Sequence, residues 1–227
     1  MSKYVYIMGR GHSGSTVLDC LLDNVEGVQG VGETVVGLKK KFCAGGDGGR
    51  ERKVAAFWNR VKEVCENEAD VDWAEIVDAY REQAHPAKLP KTLLADRETE
   101  LIARTVRSVR RVYESVRQVS GAGTIVDSSK EVARALLIAK HLEDGFTIHL
   151  VRDPIEVLAS DLDRIVNKGK FRFLRKSYDT QGREYFFAFL TCVNWVVGNM
   201  LCEVVKLYCG DRCMTVRYED LRREPGR

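Results

Sequence analysis

No Cys-X-X-Cys pair occurs among the seven cysteines, at positions 20, 43, 65, 192, 202, 209 and 213, and no Cys/His grouping has the spacing of zinc ligands. No metal site is therefore expected, and the thiols read as reduced and partly buried rather than as a disulfide framework. Charge of one sign is equally scarce. The 36 Lys and Arg residues stand against 33 Asp and Glu, a net of +3, which is too small and dispersed a surplus for a nucleic-acid binder. A local positive cluster for an anionic ligand remains open. No secretory leader is expected, because Met1-Ser2-Lys3 runs directly into Tyr4-Val5-Tyr6-Ile7-Met8, far shorter than a signal peptide's apolar core. The default expectation is a cytoplasmic protein.

Only one long uncharged run exists, the 18 residues from Tyr185 to Cys202. Thr191, Asn194, Gly198 and Asn199 interrupt it, so it reads as a buried core helix and no membrane span is expected. What is present is an ordinary globular mixture, 44% hydrophobic and 30% charged over 227 residues, consistent with a single domain across residues 1–227.

The order of elements points to an α/β protein with a mostly parallel sheet flanked by helices. A strand over 4–8 leads through a glycine-rich turn into a helix over about 16–24, then a strand over 28–32. A polar, glycine-rich loop is expected over 39–53. Residues 54–120 read as a helical insertion, broken at His85-Pro86 and Leu89-Pro90. Apolar residues at 101, 102, 106, 109, 112, 113, 116 and 119 mark one face of an amphipathic helix, with the arginines at 104, 107, 110, 111 and 117 on its solvated side. Thr124-Ile125-Val126-Asp127 forms a strand, about 130–142 a helix, and Thr147–Val151 a strand. Pro154 sits in the first turn of the next helix. A basic loop (168–176), the long apolar helix and a last strand over 214–218 complete the chain. Strands alternating with helices imply right-handed crossovers.

The turn after the first strand is Gly9-Arg10-Gly11-His12-Ser13-Gly14-Ser15-Thr16. It follows the phosphate-loop pattern Gly-x4-Gly-Lys-Ser/Thr except that Ser15 replaces the lysine. Glycines let the chain wrap closely, and amides at a helix N-terminus face an anion. The point charge that reaches a nucleoside triphosphate's terminal phosphates is missing. The simpler alternative is a strand-to-helix turn with a serine cap.

These residues, with Val17-Leu18, resemble the 5′-phosphosulfate loop of the PAPS-dependent sulfotransferases, whose core is Ser-Gly-Ser/Thr-Thr. His149-Leu150-Val151-Arg152-Asp153-Pro154, with Ser160 eight residues after Arg152, is similar to that family's 3′-phosphate motif. Val216-Arg217-Tyr218-Glu219-Asp220-Leu221 resembles its recurrent YEDL strand. The resemblance implies a P-loop-like sulfotransferase fold, 3′-phosphoadenosine 5′-phosphosulfate (PAPS) as sulfuryl donor, and a hydroxyl-bearing acceptor. It implies a nucleotide held by Arg10, Gly11, His12, Ser13, Gly14, Ser15, Thr16, Arg152, Ser160 and Tyr218. Arg152 at a strand's carboxyl end suits this, because a guanidinium grips phosphate through two hydrogen bonds. Its alternative role is an ion pair with Asp153 or another surface carboxylate.

By the same resemblance the general base is Glu33, in Val31-Gly32-Glu33-Thr34, with Asp127 the second candidate. Glu33 also reads as an acid opening the following helix. Lys130 is a candidate for charge on the sulfuryl group, and His12 or Arg10 for help to the leaving group, since relatives carry Lys or Arg where His12 stands. Relatives also continue beyond the YEDL segment, so the end at Arg227 suggests a compact variant or an incomplete C-terminal part. Two other functions fit some of these residues: a P-loop kinase, which Ser15 opposes, and an inactive nucleotide-binding or scaffold relative. The basic residues of 54–120 and of the loop 168–182 suggest an anionic or glycan acceptor, although a solvated face explains most of them.

Overall fold

The computed structural model describes residues 3–40, 49–69, 72–82, 100–166 and 181–224. Strand β1 (Tyr4–Gly9) lies at the centre of the sheet because both its faces are apolar. Tyr4, Tyr6 and Met8 enter one core, and Ile7 with Val5 enters the other, as the two-residue pleat requires. It pairs in parallel with β3 (Thr124–Lys130), Tyr4 opposite Ile125, and with β4 (Gly145–Val151), Tyr4 opposite Gly145. Strands β2 (Val28–Gly30) and β5 (Cys213–Arg217) complete an all-parallel order β2-β3-β1-β4-β5. The chain leaves β1 first towards β3 and returns on its other side at β4. That reversal opens a crevice at the strands' carboxyl ends, where ligands of such sheets bind.

Helix α1 (Ser15–Asp23) contributes Leu18 and Leu22 to the smaller core, together with Leu221 of α9 (Tyr218–Arg223). The larger core takes α2 (Thr34–Lys40), α3 (Gly49–Ala69), α4 (Trp73–Glu82), α5 (Glu100–Ser120), α6 (Val132–His141) and one edge of α8 (Gln181–Cys209). Helix α7 (Pro154–Val166) packs against α8.

Several boundaries differ from the sequence-based expectations. Strand β3 runs on to Lys130, and α6 starts at Val132. Residues 218–221 open a helix instead of continuing a strand. Residues 39–40 and 49–53, expected in a loop, belong to α2 and α3. Three of the α5 arginines are held by carboxylates, Arg104 by Glu75 at 3.3 Å, Arg107 by Glu100 at 2.7 Å and Arg117 by Glu114 at 2.7 Å. The breaks at His85-Pro86 and Leu89-Pro90, the loop 168–176 and Cys43 lie outside the described residues; the described cysteines are free thiols.

Helix α8 corrects the expectation of a buried core helix. Cys202, Val205 and Cys209 are buried, but Tyr185, Phe186, Phe189, Val193, Val196, Met200 and Leu207 are exposed. The stretch Ala188–Arg212, most of α8 and the turn after it, is long and apolar enough to cross a membrane by length and composition, and little of its apolar part is buried. Its apolar residues occupy every side of the helix, so their spacing does not reveal which edge packs.

Candidate active site

The phosphate loop begins where β1 ends. An added Cβ on Gly9 falls 2.5 Å from the Leu150 carbonyl oxygen, so only glycine lets β1 and β4 stay this close as the loop leaves the sheet. His12 and Gly14 then adopt left-handed backbone, with φ of 67° and 92°. At Gly14 an added Cβ lies 2.2 Å from the Tyr218 ring, which therefore presses directly on the loop backbone. Gly14 is the N-cap of α1 and no side chain caps the helix. The serine-cap alternative thus fails, and the helix's first amides carry no side-chain partner where an anion is stabilised.

Tyr218 is also held by Arg152, whose guanidinium carbon stands 4.5 Å from the ring centroid. Arg152 Nη1 donates to the His12 carbonyl at 2.9 Å, and its Nε donates to Glu156 at 2.9 Å. The carboxylate alternative is therefore real, and it coexists with direct attachment to the phosphate loop. Trp195 of α8 donates to the Arg152 carbonyl at 3.0 Å, and Glu219 accepts from the Asp153 amide at 2.8 Å, fixing the end of β4 from both flanks. His12 faces α7: Nδ1 lies 3.2 Å from Ser160 Oγ and Nε2 lies 3.0 Å from Asp161. Arg10 reaches the same carboxylate at 3.5 Å.

Across the loop, Glu33 follows β2 and its carbonyl accepts the amides of Val36 and Gly37, so it does open α2. Its carboxylate pairs with Lys130, which ends β3 in left-handed backbone, φ 71°. A groove of about 670 Å³ is lined by Arg10, Gly11, His12, Gly14, Ser15, Thr16, Glu33, Lys130, Arg152, Ser160 and Tyr218. The expected positions are thus together, apart from Ser13, which is buried, and Asp127. A second groove of about 570 Å³ shares Arg10, Gly11, Glu33, Val36 and Lys130, and extends to Val132, Asn194, Val197, Gly198 and Leu201.

Asp127 needs correction as a candidate base. It is 1% exposed and does not line the groove. Its Oδ2 accepts from Thr34, from Tyr80 at 2.9 Å and from Tyr113 at 2.8 Å. Its Oδ1 accepts the Ser129 amide at 2.9 Å and hydroxyl at 2.5 Å. A carboxylate holding five donors has no lone pair left for an acceptor's proton. Burial raises the phenols of Tyr80 and Tyr113 well above their ordinary pKa, with the Asp127 charge adding to the effect.

Sequence reasoning missed Glu156, Asp161 and Trp195. The first was accessible, four residues after Arg152 on one helix face; Asp161 adjoins Ser160, and Trp195 gave no local signal. The groove between α4 and α5, lined by Glu75, Arg104, Arg107 and Arg111, shares no lining residue with the strand tips. The helical insertion therefore does not frame the site's described wall.

The donor set fits a bisphosphorylated nucleotide: a glycine cradle that a Cβ would fill, uncapped amides, and an arginine fastened to the loop itself. No curated protein matches the chain. The model of the sulfotransferase family matches residues 5–227, nearly its full length. Family membership supports a sulfotransfer activity, and the all-parallel sheet and P-loop-like turn agree with it: the chain belongs to the sulfotransferase family.

Proposed function

We propose that the protein moves a sulfuryl group from PAPS to a hydroxyl acceptor. The reading is carried by one observation: Arg10, Gly11, His12, Gly14, Ser15, Thr16, Arg152 and Ser160 border the same groove as Glu33 and Lys130. On this reading the amides and hydroxyls of Ser15 and Thr16 hold the 5′-phosphate, where charge grows as the sulfuryl group departs. Arg152 and Ser160 hold the 3′-phosphate. Tyr218 keeps the two grips in register, in contact with both Gly14 and Arg152. Glu33 takes the acceptor's proton, and Lys130 orients that carboxylate and offers positive charge to the sulfuryl oxygens. When bound, the nucleotide supplies the sulfuryl group.

The test is thermal denaturation with and without adenosine 3′,5′-bisphosphate. At 100 times its Kd, the ligand stabilises the chain by about 2.7 kcal/mol. An unchanged Tm at millimolar ligand would overturn the reading.

A further inference from the structure

The second groove bears on the acceptor. Its far wall is one stripe of α8, Asn194, Val197, Gly198 and Leu201, at positions i, i+3, i+4 and i+7. Val36 of α2 and Val132 of α6 complete an apolar lining. Val36 is 48% exposed and Val197 47% exposed, two valines left open to solvent on one groove. The groove's size suits a small molecule.

Its charges are balanced. Among the described lining residues, Arg10 and Lys130 stand against Glu33 and Glu131. Arg10 is drawn to Asp161 at 3.5 Å, and Lys130 is paired with Glu33. A uronate or sulfate on an acceptor would meet two carboxylates and no surplus of positive charge, at a cost in desolvation. Of the basic residues of 54–120 and 168–182 associated with an anionic acceptor, Arg104 and Arg107 on α5 hold carboxylates, and those of 168–176 lie outside the described residues.

We propose that the acceptor is an uncharged phenol or alcohol with a hydrocarbon body. The body lies against Val36, Val132, Val197 and Leu201, and the hydroxyl points to Glu33 where the two grooves meet. The inference rests on the donor reading above. The hydroxyl oxygen bonds to sulfur as the sulfur–oxygen bond to the 5′-phosphate breaks. The hydroxyl proton passes to Glu33, and the bond's electron pair leaves with adenosine 3′,5′-bisphosphate.

The experiment titrates 2-naphthol, followed by its fluorescence, into the full chain saturated with adenosine 3′,5′-bisphosphate, and assays PAPS-dependent 2-naphthyl sulfate. Val197→Asp and Leu201→Gln are compared with the unaltered chain. The expected result is saturable binding and product, with naphthol affinity at least tenfold weaker in each variant. Bisphosphate affinity stays within twofold, which also shows that the variants fold. Two results overturn the acceptor class alone: bisphosphate binding without naphthol binding, or naphthol affinity indifferent to both substitutions. Sulfation of a uronate-containing disaccharide in place of naphthol would likewise overturn it. Failure of the unaltered chain to bind the bisphosphate overturns the donor reading and the acceptor class together.

Discussion

Gly14 bears two constraints at once, a left-handed φ of 92° and a tyrosine ring where a Cβ would lie. Gly14→Ala is expected to cost about 1–3 kcal/mol through backbone strain alone. It also displaces Tyr218 from Arg152, so nucleotide affinity falls together with Tm. An alanine variant with unaltered Tm and affinity would contradict the packing described. Asp19, on α1, offers a pH test. Burial chiefly, with the charges of Asp127 and Asp23, raises its carboxyl to about 7, and its Oδ1 has no hydrogen-bond partner. The folded chain holds that proton more tightly than the unfolded chain. Its stabilising effect is complete below about pH 4 and is lost as pH rises through about 7. Asp19→Asn is therefore expected to gain stability relative to the unaltered chain by about 2 kcal/mol between pH 5 and pH 8. Paired denaturation curves would show this, and a gap independent of pH would refute it.

Among the elements, β3 ties the insertion to the sheet. Tyr80 of α4, Tyr113 of α5 and Thr34 of α2 all donate to Asp127, from positions 47, 14 and 93 residues away in sequence. Asp127→Ala is expected to destabilise by about 2–4 kcal/mol, because it strands buried hydroxyls. Tyr113→Phe removes one donor at a cost of about 1–2 kcal/mol. A stable Asp127→Ala variant with lost turnover would return the residue to the catalytic candidates. These long separations explain why the residue reads locally as a polar strand end. The loop 9–16 is legible because its spacing alone encodes a strand, a tight turn and a helix start. Arg152 and Ser160 are legible because a strand end and two helical turns set their positions. The packing of α8 is not legible, since an uncharged run apolar on every side has no period that selects its buried edge. The helix at Tyr218 is equally hidden, because Met214–Val216 reads smoothly onward as strand.

At the scale of the molecule, two grooves meet at Glu33 and Lys130, one built by the sheet's strand tips and the other by α2, α6 and α8. Glu33→Gln preserves the shape of both while removing the proposed base. Turnover is expected to fall about 100-fold or more with nucleotide affinity unchanged; equal loss of both would mean that Glu33 serves binding. On the proposed function, one nucleotide spans the loop 10–16 and Arg152. The most direct test is calorimetric titration with adenosine 3′,5′-bisphosphate and with adenosine 5′-monophosphate, for the unaltered chain and for Arg152→Ala. The bisphosphate is expected to bind at least tenfold more tightly, and the preference to disappear in the variant, since a hydrogen-bonded charge contributes about 1.5–3 kcal/mol. Equal affinities in the unaltered chain, or a preference that survives Arg152→Ala, would contradict that function.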